Sequence, residues 1–328
     1  MNTLPSITVI IKTFNEQAGI AATIQSIKQQ LSGYEHSVIV ADSLSTDNTQ
    51  QIALDNGAKV VSLIEEQDRC CGVGHQLGYL HSEGDYLLLM DGDMTLGDGF
   101  IDKAVAFLES NPTYAGVAGT VEMDEASSYE FKSRKQRLHK IYPLGDCSHL
   151  GGGGMYRKSA IDEIGYLTHR TLHAYEEAEL GMRLKHAGYK LHRLDTPFFL
   201  HTSYDMPTLQ LLKYRWKSRY LFAPGELLKS AFGKAHFKDA LSTVRNELIF
   251  ACYLLGVISM GLFAPTIVFL LSLAPLGAFF TLKAIKNRSV KDACLSVINL
   301  SVFAAGLVRG LFSPTKNPTV PPKNRLIE

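Results

Sequence analysis

The chain has 328 residues, 46% of them hydrophobic, with 33 basic and 32 acidic side chains and a net charge of +1. That length suffices for one large core or two ordinary ones, and the composition excludes a disordered chain, a collagen and a small disulfide scaffold. The near-zero charge hides a split: residues 1–207 hold 17 Lys/Arg against 27 Asp/Glu, and residues 208–328 hold 16 against 5.

Met1–Ser6 lacks a basic region and Ile7–Ile11 is too short for a signal peptide, so residues 1–207 are expected to stay cytoplasmic. Five cysteines without metal-ligand spacing are expected as reduced thiols. Short apolar runs at Ile7–Thr13, Ser37–Asp42, Lys59–Ile64 and Tyr86–Met90 alternate with helical patterns such as Ile20, Ile24, Ile27 and Leu31. Near-continuous apolar strands separated by helices predict an α/β fold with a mostly parallel, doubly wound sheet. Ligands of such sheets bind at the carboxyl ends of the strands. The polar residues there are Thr13, Asn15 and Glu16, then Asp42, Ser43, Ser45 and Asp47, then Asp91-Gly92-Asp93. No GxGxxG or Walker loop opens a helix, so neither a dinucleotide fingerprint nor a P-loop is predicted.

Two carboxylates one residue apart at the end of a buried strand ionise cheaply only beside a cation. Asp91 and Asp93 therefore read as ligands for Mg²⁺ or Mn²⁺, which share their remaining positions with phosphates. Further on, Gly151–Gly154 gives a backbone able to approach a ligand closely or to swing. Tyr175–Gly188 reads as a helix with Glu176, Glu177 and Glu179 in its first turn. Three acids so close repel one another, and a carboxylate raised in pKa by acidic neighbours makes a general base.

Residues 208–222 place Leu209, Leu212, Trp216 and Tyr220 near one face among Lys213, Arg215, Lys217 and Arg219, as an interfacial helix would. Leu248–Leu282 then runs for 35 residues without Asp, Glu, Lys, Arg or His, broken by Pro265. That exceeds one span and suits two short spans. Ala293–Val308, 16 uncharged residues, is marginal and is expected to be re-entrant or interfacial. The expected organisation is a domain over 1–207, a basic amphipathic region over 208–247, membrane or re-entrant helices over 248–312 and a loose Pro-rich tail over 313–328. These apolar runs make a membrane, not nucleic acid, the partner of the basic end.

The ordered segments SITVIIKTFNE, VIVADSLSTDNT, YLLLMDGD, GGGGMYRKSAIDEIG and YEEAELGMRLKHAGYKL closely resemble family-2 glycosyltransferases of the GT-A fold, over roughly residues 5–205. The resemblance implies an inverting sugar transfer from a nucleotide-diphosphate sugar to a hydroxyl. It implies that Thr13, Asn15, Glu16, Asp42 and Ser43 line the nucleotide pocket, that Arg69 contacts phosphate, and that Gly152 and Gly153 approach the donor. Asp91 and Asp93 would hold the metal, with His201 in reach of it. Glu177 would be the base, with Glu176 and Glu179 as supporting acids. Arg215-Trp216 resembles the QxxRW motif of processive synthases and would contact the acceptor or the diphosphate. This sequence departs from the family pattern at three places: Glu replaces Asp at Glu177 and Glu179, His75-Gln76 stands for Arg-Asn, and Leu212 occupies the Gln position of QxxRW. The last argues against processive polymerisation. A lipid-linked or glycan acceptor is expected from the apolar C-terminal region. A sugar-nucleotide nucleotidyltransferase and a non-catalytic, membrane-anchored nucleotide-sugar binding protein are the competing readings, and neither oligomeric state nor the donor sugar is specified.

Overall fold

The alternation of apolar runs and amphipathic segments produces, among the described residues, ten strands in one sheet. The computed structural model describes residues 4–123, 137–201 and 206–327, the side chains of Met123 and His201 lying outside that description. The strands are β1 (Ile7–Thr13), β2 (His36–Asp42), β3 (Lys59–Leu63), β4 (Tyr86–Asp91), β5 (Met94–Leu96), β6 (Tyr114–Met123), β7 (Gly145–Cys147), β8 (Gly154–Arg157), β9 (Lys190–His201) and β10 (Asn324–Ile327). Between them lie α1 (Ile20–Gln30), α2 (Thr49–Asp55), α3 (Cys71–Tyr79), α4 (Phe100–Ser110), α5 (Leu138–Ile141), α6 (Lys158–Ile164) and α7 (Glu176–His186).

The strand order is β10-β3-β2-β1-β4-β8-β6-β9-β5, with β7 beside β9. Pairing is parallel from β3 through β2 and β1 to β4. Beyond β4 the sheet is mixed: β8 runs antiparallel to both β4 and β6, and β6 and β9 are again parallel. The parallel half is the part made by strand–helix–strand crossovers, each of which returns the chain in the same direction. Its strands are covered on both faces, with Val9, Ile10, Ile11, Val40, Ala41, Val60, Val61 and Leu87–Met90 all fully buried. Each of these Val, Ile, Leu or Met side chains contributes roughly 1.5–3 kcal/mol relative to exposure.

The chain divides into two compact units, Met1–Thr208 with Lys316–Glu328, and Leu209–Thr315. The expectation of a loose tail is therefore corrected. β10 pairs antiparallel with the edge of β3, Ile64 N donates to Lys323 O at 3.1 Å, and Lys316 Nζ pairs with Asp68 Oδ1. The cause is electrostatic as well as β-sheet completion. Asp68 is buried, and Arg170 Nη2 at 2.9 Å and Lys316 together supply the countercharge. Burial works against its charge, but the two cations prevail and hold it below the ordinary carboxylate range.

The second unit contains α8 (Thr208–Lys217, which starts in the first unit), α9 (Ala223–Ala231), α10 (Phe237–Thr243), α11 (Arg245–Phe263), α12 (Thr266–Ser272), α13 (Ala274–Asn287) and α14 (Val290–Leu311). Three stretches are long and apolar enough to cross a membrane: Arg245–Phe263, Thr266–Asn287 and Val290–Leu311.

Candidate active site

The carboxyl ends of β1, β2 and β4 lie side by side, so the loops that follow them meet on one edge. These loops are stitched together before any ligand arrives. Asn15 N donates to Ser45 Oγ at 2.9 Å, Thr46 N to Asn15 Oδ1 at 2.8 Å, Glu16 N to Thr49 Oγ1 at 2.8 Å and Gln17 N to Asp47 Oδ2 at 3.2 Å. Asn15 and Leu44 both hold positive φ, at 58° and 65°, conformations that surrounding structure must impose on non-glycine residues.

Asp42, fully buried, is the hub of this loop pair. Its oxygens accept from Thr13 Oγ1, Ser45 N, Ser45 Oγ, Gln50 Nε2 and Ser62 Oγ. Ser43 is buried and donates its N–H to Thr13 O. Arg69 stacks over the Phe14 ring, 4.4 Å from its centroid, and pairs with Glu66 at 2.7 Å, so it stands beside the first loop.

Asp91 ends β4, and Gly92 and Asp93 follow it on the same edge. A Cβ at Gly92 would press on Thr13 Cγ2 and Glu16, which explains glycine between the acids. Asp91 Oδ1 is buried and accepts no hydrogen bond, although Lys12 Nζ lies 3.2 Å away. Burial, then Asp93, Asp91 and Asp47, push Glu16 up to about 7. Among the described residues no three His, Cys, Asp or Glu side chains converge as a ready-made metal cage. Two acids one residue apart fit a hard divalent ion whose other ligands come from phosphate and water.

The acids of α7 divide among three partners. Glu176 Oε1 lies 3.2 Å from Lys12 Nζ. Glu177 accepts the backbone N–H groups of Gly152 and Gly153 on its two oxygens. Burial raises it to about 7; Lys12 pulls the other way and Glu176 and Asp91 add to the rise. Glu179 is fully buried with Arg183 Nε at 2.9 Å and Tyr166 Oη at 2.6 Å. Its desolvation is outweighed chiefly by Arg183, and its pKa is lowered. Glu179 thus ties α7 to residues 166–167, whose carbonyls accept from Arg183 Nη1 and Nη2. The expected mutual repulsion of the three acids is relieved because each faces a different donor.

The glycine run is conformationally required. Gly151–Gly154 have φ of 66°, 78°, 98° and 147°, and a Cβ at Gly153 would overlap Leu89 O. The run brings two N–H groups onto Glu177, beside the end of β4.

Lys12 was not singled out in the sequence. It bridges Asp91 and Glu176, and these acids overcome the burial that opposes its charge, holding it well above the ordinary lysine range. His75 sits nearby, Nε2 3.1 Å from Met90 O and 3.8 Å from Asp91 Oδ1; burial and Lys12 push it down to about 4, so it is neutral. Gln76 Oε1 accepts from Leu167 N and Thr168 N, a structural tie. The backbone of His201 pairs with Met94 in the sheet, while its side chain lies outside the described residues. Arg215 and Trp216 lie in the second unit, where they contact the rings of Tyr220 and Phe222.

Comparison with known proteins agrees with this geometry. Residues 8–165 match the model of glycosyl transferase family 2. The chain is 29% identical over 213 residues to the putative glycosyltransferase EpsE of Bacillus subtilis, covering 61% of this chain and 73% of that one. It is 37% identical over 126 residues to protein RfbJ of Shigella flexneri, covering 38% of this chain and 92% of that one. Among solved structures, mannosyltransferase PcManGT from Pyrobaculum calidifontis, in complex with GDP-Man and Mn²⁺, superposes with a TM-score of 0.60 at 16% identity, covering 94% of this chain and 87% of that one.

Proposed function

This chain belongs to glycosyl transferase family 2, and on that premise we propose that it is a membrane-attached, inverting enzyme that moves a sugar from a nucleotide-diphosphate sugar to a hydroxyl of a lipid-linked or glycan acceptor. Membership removes the nucleotidyltransferase and the non-catalytic readings. The observation that carries the proposal is the convergence of Asp91, Lys12, Glu176 and Glu177 at one strand-end edge.

In this reading Thr13, Asn15, Glu16, Asp42, Ser43 and Arg69 frame the nucleotide. Asp91 and Asp93 would hold Mg²⁺ or Mn²⁺, as the Mn²⁺ bound with GDP-Man in PcManGT supports. Such an ion, when bound, supplies charge neutralisation for the diphosphate. Lys12, protonated between Asp91 and Glu176, adds a fixed positive charge to the same place. Glu177 accepts the proton of the acceptor hydroxyl as that oxygen bonds the anomeric carbon. The bond from carbon to diphosphate breaks on the opposite face and its electron pair leaves with the nucleoside diphosphate, inverting the centre. A carboxylate near 7 is well matched to proton abstraction at neutral pH. For this to happen, the Gly152–Gly153 clamp yields one Glu177 oxygen to the acceptor.

The three apolar helices and the basic residues around them support attachment to the cytoplasmic membrane with the first unit in the cytoplasm. Purified protein in detergent, mixed with Mn²⁺ and a panel of nucleotide-diphosphate sugars, tests the reading. Thermal stabilisation and release of nucleoside diphosphate by at least one donor are expected. No stabilisation by any nucleotide with metal would overturn it.

A further inference from the structure

The chain leaves its first unit at Thr208 and re-enters it at Lys316, because β10 is hydrogen-bonded into the same sheet as β1–β9. A strand paired in a sheet lies on the same side of a bilayer as that sheet. The number of crossings between residues 208 and 316 is therefore even. Yet three stretches have the length and hydropathy to cross: 245–263 and 290–311 with mean hydropathy 1.7, and 266–287 with 1.9. One of the three does not span.

Packing within the second unit identifies it. The pair 245–263 and 266–287 is almost wholly uncovered, 6% and 0% buried, against 22% for 290–311. Ile249, Leu255, Ile258, Leu262, Phe263, Ile267, Leu270 and Leu271 of that pair all point outward. The arms meet near their tip, where Tyr253 Oη donates to Ser272 O at 2.8 Å, Gly261 abuts the Phe269 ring and Ala264–Pro265 makes the turn, and both also pack against α14. At 1.5 Å per residue these arms reach about 28 and 33 Å, the thickness of a hydrocarbon core.

The last helix is bound differently. A Cβ at Gly306 would overlap Leu221 O, one at Gly310 would overlap Phe222 O, and one at Gly225 would overlap Leu307 O. Its final two turns are thus locked, backbone to backbone, onto a segment that carries Arg219, Glu226 and Lys229. Lys229 Nζ donates to Ser313 O just past the helix end. Charged residues at this density do not enter hydrocarbon, and a helix fixed to them stays with them at the interface.

We propose that only 245–287 crosses the bilayer, as a hairpin with its tip on the far side, and that α14 lies in the lipid headgroup–acyl boundary on the side of the sheet. Its uncovered residues, Val290, Ile298 and Leu311, meet lipid there. The proposal rests on membrane attachment but not on which side the first unit faces.

The test uses the full chain in intact cells with single reporters Thr266→Cys, Asn287→Cys and Thr319→Cys, scored against the parent. A membrane-impermeant maleimide is applied before and after permeabilisation. Position 266 is expected to label from one side and positions 287 and 319 from the other. Labelling of 287 and 319 from opposite sides overturns the proposal, as does labelling of 266 and 287 from one side. Should a cysteine variant fail to accumulate, epitopes at both ends of an otherwise unaltered chain give the parity directly: they respond together if the count is even, and response of only one overturns it. Release of the chain by alkaline carbonate would instead overturn membrane attachment, and the hairpin with it.

Discussion

Lys12 and Asp91 are register partners across the β1–β4 pair, and the ammonium of one stands 3.2 Å from the carboxylate of the other. Lys12 thus balances Asp91 and Glu176 together, and it would share Asp91 with any divalent ion held there. Lys12→Met keeps the apolar stem and removes the charge. Mn²⁺ should then bind no more weakly, while sugar transfer falls by about tenfold or more, equivalent to ~1.4 kcal/mol per decade. A parallel loss of metal affinity and turnover, read by calorimetry and nucleotide release, would show that Lys12 only holds the loop together.

Glu177 has its pKa raised from 4.5 to about 7, first by burial. Turnover should therefore decline below about pH 7 as the base takes up a proton. Because the folded form holds that proton more tightly than the unfolded chain, its contribution to stability is full below 4.5 and is lost as pH rises through 7. Glu177→Gln should flatten both profiles and lower turnover by roughly 10²–10⁴-fold with donor binding little changed. If Glu176→Gln alone produced that phenotype, the base would be one residue earlier.

Asp93→Ala should abolish Mn²⁺-dependent nucleotide binding, read as loss of the thermal shift, with the ligand-free melting temperature nearly unchanged. Retained metal-dependent affinity would remove Asp91-Gly92-Asp93 from the metal site.

Gly153→Ala forces a side chain into φ of 98° and against Leu89 O. A strained residue of this kind costs about 1–3 kcal/mol, and the N–H that holds Glu177 should shift with it. Lower stability together with a displaced pH limb is the expected result; a variant with the parental pH profile would separate the clamp from the base.

Truncation after Thr315 removes Lys316 from Asp68 and β10 from β3. The protein should melt at lower temperature and self-associate, since an uncovered strand edge is a template for pairing. An unchanged melting temperature would mean that the tail adds nothing to the sheet.

The strands β1 to β4 were legible to within a residue or so, because each is an apolar run bounded by polar residues. The helix over 176–186 was legible from its graded charges. The mixed half of the sheet was not, since β7 and β8 are three and four residues long and owe their pairing to distant partners. Lys12 escaped notice because a lysine near the end of an apolar strand reads as the strand's solvated margin, and its partner Glu176 lies 164 residues away. The tail escaped because proline-rich composition says nothing of Asp68, a buried acid that needs the cation of Lys316. Composition is local, and this attraction is not.

His81 and Asn324 touch across a separation of 243 residues. Translation must therefore finish every apolar helix before the strand that seals the edge of β3 exists. Until then the nascent sheet is unfinished, with an edge open to wrong partners. A chain whose helices had threaded the bilayer an odd number of times would deliver β10 to the wrong compartment and could never seal. On the proposed topology, the sealing of that edge therefore depends on the parity of insertion.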